Sequence, residues 1–215
     1  MNVLIGCEKS QIVCMEFRKR GHDAYSCDLD PCTGGRPWWH LQMNVFDALK
    51  LRKWDLMIAH PPCTHLAVSG AAWFKIKQAD GRQQAAIDFF LKLWNCDIPK
   101  IALENPIGIM STHLRKPDQI IEPYYFGDPH KKPTCLWLKG LPKLTWDPAK
   151  AIKPELITMT SKKTGRTRTY SKWEYEASCN QKERQTIRSK TFPGIAKAIA
   201  DQWTREYTFQ QLTIF

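Results

Sequence analysis

The sequence predicts an α/β fold with a doubly wound, mostly parallel sheet and a small basic insertion. Strand-like apolar runs alternate with helix-like patterns over the first two thirds of the chain. The later part is polar and basic, with weak periodicity, before order returns near the C-terminus. The chain has 215 residues, 43% of them hydrophobic, which suffices for one substantial core but not for two full domains.

The first elements are predicted from apolar runs and the residues that bound them. Residues 3–7 have the continuous apolar pattern of a buried strand. Ser10 is a candidate N-cap for a helix over residues 11–20, which Gly21 ends. Residues 23–28 form a second predicted strand.

Further strands and one long helix follow the second strand. A short segment lies around residues 41–45, and residues 54–59 form a buried strand that the next two prolines stop. Residues 82–95 have an apolar helix face, and the next strand covers residues 100–103.

Beyond Pro106 the pattern loosens. Residues 124–126 and 135–138 are expected to be two strands, antiparallel at the edge of the same sheet. The stretch from residue 146 to residue 188 is interpreted as an irregular insertion or small lobe. Apolar residues at four-residue spacing predict a helix over residues 193–203 that packs on the core.

These patterns divide the chain into three parts. Residues 1–145 are expected to be the catalytic domain, residues 146–190 a small basic recognition insertion, and residues 191–215 a C-terminal segment whose helix packs back on that domain. No apolar run reaches the roughly 20 residues that a membrane span needs, and Met1 leads straight into a strand without a basic leader. We therefore expect a cytoplasmic protein with no membrane partner.

The eight cysteines lack the Cys-x-x-Cys pairs that usually mark zinc sites. A chain of this size with an ordinary core does not need a disulfide scaffold. We expect no metal, and we expect most of the thiols to be small core residues.

The charge is strongly asymmetric. The net charge is +11, and residues 131–190 hold 15 Lys plus Arg against 5 Asp plus Glu. This excess predicts a polyanionic partner such as a nucleic acid, and a merely solvated basic surface is the alternative.

Polar residues follow the first two predicted strands, where an open parallel sheet binds its ligands. At the end of the second strand, Asp28 is placed to accept both hydroxyls of a ribose, with Leu29 beside it. At the end of the first strand, the backbone can approach a cofactor at the start of a helix. The residues of this first loop that we expect at a nucleoside site are Ile5, Gly6, Cys7, Glu8 and Ser10.

Cys63 stands in a Pro-Pro-Cys turn directly after a hydrophobic strand. The two prolines stiffen the turn and favour a thiol at the rim of the sheet. There, a helix N-terminus or nearby cations can activate it as a nucleophile. The alternative is a buried, inert cysteine.

Glu104 closes the next strand, followed by Asn105. Neighbouring strands lie about 4.8 Å apart, so Cys63 and Glu104 can converge on one substrate ring. A partly buried carboxylic acid there is expected to have a raised pKa and to donate a proton to a ring nitrogen. The alternative is that Glu104 only caps its loop.

These residues resemble motifs of the DNA cytosine-5 methyltransferase family, in a compact form similar to those found in bacteriophage genomes. The family's Pro-Cys motif, followed by Ser-x-x-Gly or similar, is matched by Pro62-Cys63 with Ser69-Gly70. Its Glu-Asn-Val motif is matched by Glu104-Asn105, with Pro106 in the third position. The resemblance covers about residues 2–140 and implies a Rossmann-like, class I S-adenosylmethionine-dependent methyltransferase.

Three departures from the family pattern are visible. The glycine-rich cofactor loop is only partly matched by Gly6, and the acid after the third strand is replaced by Asn44, which can hydrogen-bond an adenine amino group. Lys132 takes the first arginine position of the Pro-Gln-x-Arg-x-Arg signature, and Thr134 takes the second. The resemblance also adds Pro61 to the expected cofactor contacts.

The resemblance implies a covalent mechanism that involves Cys63, Glu104, Asn105 and Lys132. The thiolate adds to carbon 6 of cytosine while Glu104 donates to ring nitrogen 3, and carbon 5 then takes the methyl group of S-adenosylmethionine. Because a stacked base cannot reach such a pocket, the substrate is expected to be duplex DNA with a flipped base, or single-stranded DNA.

In the family that the sequence resembles, a separate lobe chooses the DNA target, and only the basic insertion is available for that role here. Its cations alternate with hydroxyl residues, a pattern that suits phosphate contacts and predicts low or short sequence specificity. A disordered basic loop is the alternative. The enzyme could also act on free nucleotide or RNA, or the protein could be a noncatalytic DNA-binding relative. The expected DNA contacts are Lys131, Lys162, Lys163, Arg166 and Arg168.

Overall fold

A computed structural model describes residues 1–161, 163–179 and 191–205. Within this described part, seven strands form one sheet and two more form a separate hairpin. The seven strands are β1 (Asn2–Gly6), β2 (Asp23–Asp28), β3 (His40–Gln42), β4 (Leu56–Ala59), β5 (Lys100–Pro106), β6 (Gln119–Ile121) and β7 (Thr134–Lys139).

The sheet is doubly wound, as the sequence predicts. Its strand order is β3-β2-β1-β4-β5-β7-β6, and strands β1 to β5 pair in parallel. The chain runs outward from β1 in one direction and returns through β4 in the other. The order therefore reverses between β1 and β4, and their carboxyl ends border the crevice where such sheets bind ligands.

The antiparallel end of the sheet agrees with the prediction for residues 135–138, which lie in β7, and departs from it for residues 124–126. Strand β7 pairs antiparallel with both β5 and β6, so its amino end lies at the carboxyl edge of the parallel strands. The edge strand is β6, whereas the predicted strand over residues 124–126 is a 3₁₀ turn, Pro123–Phe126. Pro123 fixes its own φ and has no N–H to give to a ladder, and Tyr125 stacks on Trp146 with ring centroids 4.4 Å apart.

Helices cover both faces of the sheet. One face packs against α1 and the C-terminal helix α7, whose Ile195, Ile199 and Trp203 are buried as predicted. The other face packs against α2, α4 and α5. The helices are α1 (Ile12–Lys19), α2 (Val45–Ala48), α3 (Phe74–Ala79), α4 (Arg82–Trp94), α5 (Met110–His113), α6 (Lys172–Cys179) and α7 (Pro193–Trp203). None of the described helices is long and apolar enough to cross a membrane.

The basic insertion is partly regular where the structure describes it, which differs from an irregular insertion and is compatible with the small lobe that was the other expectation. Strands β8 (Leu156–Thr160) and β9 (Thr167–Ser171) form an antiparallel hairpin, and α6 follows directly. Paired threonine hydroxyls cross the hairpin, with the Oγ1 atoms of Thr158 and Thr169 3.1 Å apart. β-Branched residues at facing positions favour a strand pair, although the apolar periodicity is too weak to show it in the sequence.

The expectation that most thiols are core residues is wrong. Three of the eight cysteines are buried, and two, Cys63 and Cys179, are exposed. No pairing between cysteines is present, since all eight are free thiols. The exposed thiol of Cys63 follows β4, at the carboxyl edge of the parallel strands.

Candidate active site

The turn after β4 presents Cys63 to solvent. The Cys63 carbonyl accepts hydrogen bonds from the backbone N–H groups of Leu66 and Ala67, at 3.0 and 2.9 Å, which closes the turn. Its thiol is exposed, so the alternative of a buried, inert cysteine is wrong. Cys7 contrasts with it, since burial foremost raises the pKa of that thiol to about 12.

The Cys63 turn is tied to the end of β5. Strands β4 and β5 are in register, with Ala59 opposite Leu103. Nδ2 of the buried Asn105 donates a 2.7 Å hydrogen bond to the carbonyl of Pro61, which is also buried. The two strand ends therefore keep a fixed relation, and the turn that carries Cys63 cannot swing away from β5 without losing this bond.

The loops beyond these strand ends also pair. Ala67 forms an antiparallel bridge with Gly108, and the N–H of Val68 donates to the carbonyl of Ile107 at 3.1 Å. A Cβ atom at Gly108 would stand 2.4 Å from the carbonyl oxygen of Leu66, so only glycine permits this approach.

Glu104 does not simply cap its loop, because its carboxylate meets the side chain of His60. His60 Nδ1 lies 2.9 Å from Glu104 Oε2, and the side chains of the two residues are 9% and 19% exposed. The sequence analysis did not select His60. The sequence does contain a signal for His60, which is its position. Ala59 lies opposite Leu103 in the sheet, so the next residues of the two strands, His60 and Glu104, are also neighbours.

The expected rise in the pKa of Glu104 is wrong. Burial raises the pKa of this carboxyl, but the hydrogen bond from His60 and the charge of Lys132 outweigh burial and hold the pKa below its ordinary value. A carboxylate between two cations is stabilised in its charged form. Glu104 is therefore ionised near neutral pH in the free protein.

Lys132 and Thr134, which take the two arginine positions of the resemblance, lie on the approach to β7. The charge of Lys132 acts on both Glu104 and His60. Thr134 is buried, and its hydroxyl donates to the carbonyl of Lys132 at 3.0 Å. Thr134 thus fixes the backbone that carries the cation and supplies no charge of its own.

A small cavity lies between these strand ends and α7. Its polar walls include His60, Glu104, Lys132 and Thr134, and Ile195 lies on the helix side. Its volume is about 10 Å³, which is about the room that one water molecule requires. The cavity is therefore too small for a nucleobase.

The loop after β1 differs from its expected form. Glu8 and Ser10 both contribute to the cap of α1: the Glu8 carboxylate accepts the N–H groups of Val13 and Cys14 at 2.8 and 3.2 Å, and the Ser10 hydroxyl oxygen lies 3.5 Å from the N–H of Ile12. Ser10 donates its hydroxyl to Glu8 at 3.2 Å. The first N–H groups of α1 are thus satisfied within the chain, so this helix end does not offer those N–H groups to an anionic ligand.

Because Glu8 is only 4% exposed and turned towards α1, its side chain cannot contact a cofactor in the crevice. Burial raises the pKa of Glu8 above its ordinary value. The charge of His60 and the hydrogen bonds that Glu8 accepts lower this pKa, but by less. Of the loop residues expected to bind a nucleoside, Ile5 is buried in the core and Gly6 packs close to Val45. Cys7 has a left-handed φ of 58° that turns the chain away from the strand.

The ends of β2 and β3 provide groups that suit a nucleoside. Asp28 is half-buried at the end of β2, and Leu29 beside it is 71% exposed, which is unusual for a leucine. Asn44 is exposed, with Oδ1 accepting the N–H of Phe46 as the cap of α2. One lone pair of that oxygen and the Nδ2 donor remain for a ligand. A carboxylate, an apolar surface and an amide at neighbouring strand ends match ribose hydroxyls and an adenine ring.

The expected DNA contacts lie mostly on the hairpin. Lys163, Arg166 and Arg168 are exposed at its tip and along β9, and Lys131 is exposed near its base. The N–H of Lys131 donates to the Ser171 hydroxyl at 3.3 Å, which ties the hairpin base to the approach to β7. Lys162 lies outside the described residues.

No protein-family model matches the sequence, and no curated protein matches it. Among solved crystal structures, one match is a protein described provisionally as a DNA modification methyltransferase encoded within a prophage (E. coli). The two chains are 17% identical, with a TM-score of 0.45. The match covers 72% of this chain and 52% of the other, so this chain spans about half the length of that protein.

Proposed function

We propose that this protein transfers a methyl group from S-adenosylmethionine to carbon 5 of cytosine in DNA, through a covalent adduct with Cys63. One observation carries the proposal: the exposed Cys63 turn is tied through Pro61 and Asn105 to the strand end that carries Glu104. A nucleophile and an acid at adjacent strand ends are what addition to a ring carbon requires.

Each residue at this edge has a role in the proposed reaction. The Cys63 thiolate adds to carbon 6 of the ring, and Glu104 donates to ring nitrogen 3, so that carbon 5 becomes nucleophilic. Asn105 holds the turn, and Lys132 orients the carboxylate of Glu104. After transfer, water takes the proton from carbon 5, the bond between carbon 6 and sulfur breaks to restore the thiolate, and ring nitrogen 3 returns its proton to Glu104.

The cofactor fits the crevice on the other side of β1. Asp28, Leu29 and Asn44 offer a carboxylate, an apolar face and an amide at the ends of β2 and β3. When bound, S-adenosylmethionine supplies the methyl group.

DNA is favoured as the substrate by the charge of the hairpin. Residues 156–171 contain four Lys or Arg and no Asp or Glu, and the described cations among them are exposed. Phosphate contacts of this kind give affinity without sequence information, so a low or short sequence specificity is part of the proposal.

The direct test is incubation with S-adenosylmethionine that carries a labelled methyl group, together with duplex DNA, single-stranded DNA, RNA or nucleotides at matched salt, followed by nucleoside analysis. The expected product is 5-methylcytosine from DNA. Label found in RNA or in free nucleotide would show that the proposed substrate is wrong. Label at an atom other than carbon 5 of cytosine would show that the proposed reaction is wrong. A protein that binds DNA but neither binds the cofactor nor transfers a methyl group would be a noncatalytic relative.

The Cys63→Ser variant should lose transfer but retain cofactor binding. Cys179→Ser is the matched control, because it removes the other exposed thiol, in α6, and should transfer normally. Equal turnover in Cys63→Ser and the wild type would show that Cys63 is not the nucleophile.

A further inference from the structure

The proposed reaction needs a protonated Glu104, but the structure holds this residue as an anion. The carboxylate accepts a hydrogen bond from His60 and lies in the field of Lys132. An ionised carboxylate can accept hydrogen bonds but cannot donate to a ring nitrogen. The acid step therefore requires a proton source within reach of Glu104.

His60 is the group placed to be that source. Its Nδ1 lies 2.9 Å from Oε2 of Glu104, and its side chain is 9% exposed. Its Nε2 atom is buried and has no hydrogen-bond partner among the described residues. Glu104 is thus the only hydrogen-bond partner that the described residues give to the His60 ring, and the 2.9 Å contact joins the two side chains directly.

The charged neighbours of His60 come from three strand ends. They are Glu104 after β5, Glu8 after β1 and Lys132 before β7, and the cavity wall from α7 contributes apolar groups such as Ile195. Burial lowers the pKa of His60, and so does the charge of Lys132. The hydrogen bond and charge of Glu104, together with the charge of Glu8, outweigh both effects, so the pKa of His60 is raised overall. At pH values below the raised pKa of His60, the pair is an imidazolium and a carboxylate.

We propose that His60 is the positioning residue and proton store for Glu104, delivering to Oε2 the proton that the acid needs when a base enters the site. This inference rests on the proposed function. In the transfer, the Nδ1–H bond of His60 breaks and an O–H bond forms on Glu104. The pair becomes neutral, no other donor is required, and the acid can then donate to ring nitrogen 3.

Entry of the base supplies the driving force for this shift. Glu104 is 19% exposed in the free protein, so water still stabilises its charge. A base over the carboxyl group removes that water, and desolvation disfavours an ion pair relative to the neutral pair. The proton returns to His60 when the product leaves and water reaches Glu104 again.

The first test follows the titration of the His60 ring by NMR, with no substrate present. The wild-type ring should titrate above pH 6.5, the ordinary value, and the midpoint should fall in Glu104→Gln. A wild-type midpoint below this value, or no change in Glu104→Gln, would overturn the inference. This readout needs no activity, so it stands even if the protein methylates nothing.

The second test measures single-turnover methyl transfer against pH. His60→Gln retains an amide that can donate to Glu104 but cannot store a proton, so at about pH 8 transfer should fall at least tenfold, on the scale of lost proton transfer. The pH above which the His60→Gln variant loses methyl transfer should also be lower than in the wild type, while its affinity for DNA stays unchanged. His113→Gln, an exposed histidine of α5, is the matched control and should behave as the wild type.

The two tests separate the possible failures. Identical pH profiles for His60→Gln and the wild type would refute the proton store while leaving the methyltransferase proposal intact. Absence of transfer in the wild type would refute the methyltransferase proposal, and the NMR titration would still report whether His60 and Glu104 share a proton.

Discussion

His60 Nδ1 and Glu104 Oε2 are 2.9 Å apart across the ends of two parallel strands. The pairing sets the charge of both side chains, because each is the principal stabilising partner of the other. Neither group is exposed enough for water to replace the partner fully. The stability of the protein should therefore depend on this pair in a defined range of pH.

Glu104→Gln should destabilise the protein most between about pH 4.5 and pH 6.5. The pKa of Glu104 is depressed, so its contribution is present above the ordinary value of 4.5 and is lost as the pH falls through the folded value. The pKa of His60 is raised, so its contribution is present below 6.5 and is lost as the pH rises through the folded value.

The expected loss in that window is about 1.5 to 3 kcal/mol, typical of a hydrogen bond to a charged group. Urea unfolding of the wild type and Glu104→Gln at a series of pH values measures it. A difference in the free energy of unfolding that stays constant from about pH 4 to pH 8 would contradict the charged pairing.

Asn105→Ala should lower both stability and turnover. The substitution leaves the buried carbonyl of Pro61 without its 2.7 Å partner, which costs about 1 to 3 kcal/mol in the free energy of unfolding. The Cys63 turn should also lose its fixed position, so methyl transfer should fall while cofactor affinity stays the same. Asn95→Ala, at an exposed helix end, should change stability by less than about 0.5 kcal/mol. Equal effects of the two variants would show that the Asn105 bond is unimportant.

Glu8→Gln should gain stability relative to the wild type as the pH rises. The raised pKa of Glu8 means that the folded protein favours the protonated acid, so the Glu8 contribution is present at low pH and is lost as the pH rises through the folded value. Glutamine keeps one oxygen to accept a helix N–H group and loses the acceptor for the other, a cost that does not change with pH, and it does not ionise.

Glu16→Gln is the matched control for this prediction. The pKa of Glu16 is lowered, because its ion pairs with Lys19 and Arg20 outweigh the effect of burial. Its glutamine variant should therefore lose stability relative to the wild type as the pH rises. The same sign of pH dependence in both variants, measured by urea unfolding, would contradict the assignment for Glu8.

The double variant Arg166→Ala and Arg168→Ala should bind DNA more weakly, with a flatter dependence on salt. Each lost phosphate contact should reduce the slope of log K against log salt by about one. Lys50→Ala, an exposed lysine beyond α2 near the start of β4, is the charge control and should leave the slope unchanged. Fluorescence anisotropy at several salt concentrations measures the slope, and an unchanged slope in the double variant would exclude the hairpin as the DNA contact.

Much of the fold could be predicted because buried parallel strands have a strong signal. The runs that became β1 and β4 are short, apolar and bounded by turn residues. The 3₁₀ turn at Pro123–Phe126 was mistaken for a strand, because aromatic residues favour strands and the proline preceding them was given too little weight. The hairpin at β8 and β9 packs too little apolar surface to show a period of two.

The candidate site was predicted in its outline but not in its electrostatics. Cys63 and Glu104 could be selected because each follows a strand and stands next to proline or asparagine. The protonation state of Glu104 could not be predicted, because it depends on His60 and Lys132, which only the folded sheet brings beside it. Ser10 could be predicted as a cap of α1, but the larger contribution of Glu8, whose carboxylate accepts the next two N–H groups, depends on how the loop folds back on the helix.

Covalent trapping on DNA that contains 5-fluorocytosine tests the role of Cys63 most directly. Fluorine at carbon 5 removes the proton whose loss breaks the bond between carbon 6 and sulfur, so the adduct should persist. With S-adenosylmethionine present, mass spectrometry should find the modified base on Cys63 in the wild type and in Cys179→Ser, and no adduct in Cys63→Ser. A wild-type protein that methylates cytosine but forms no adduct, or one that carries the adduct on another residue, would contradict the account.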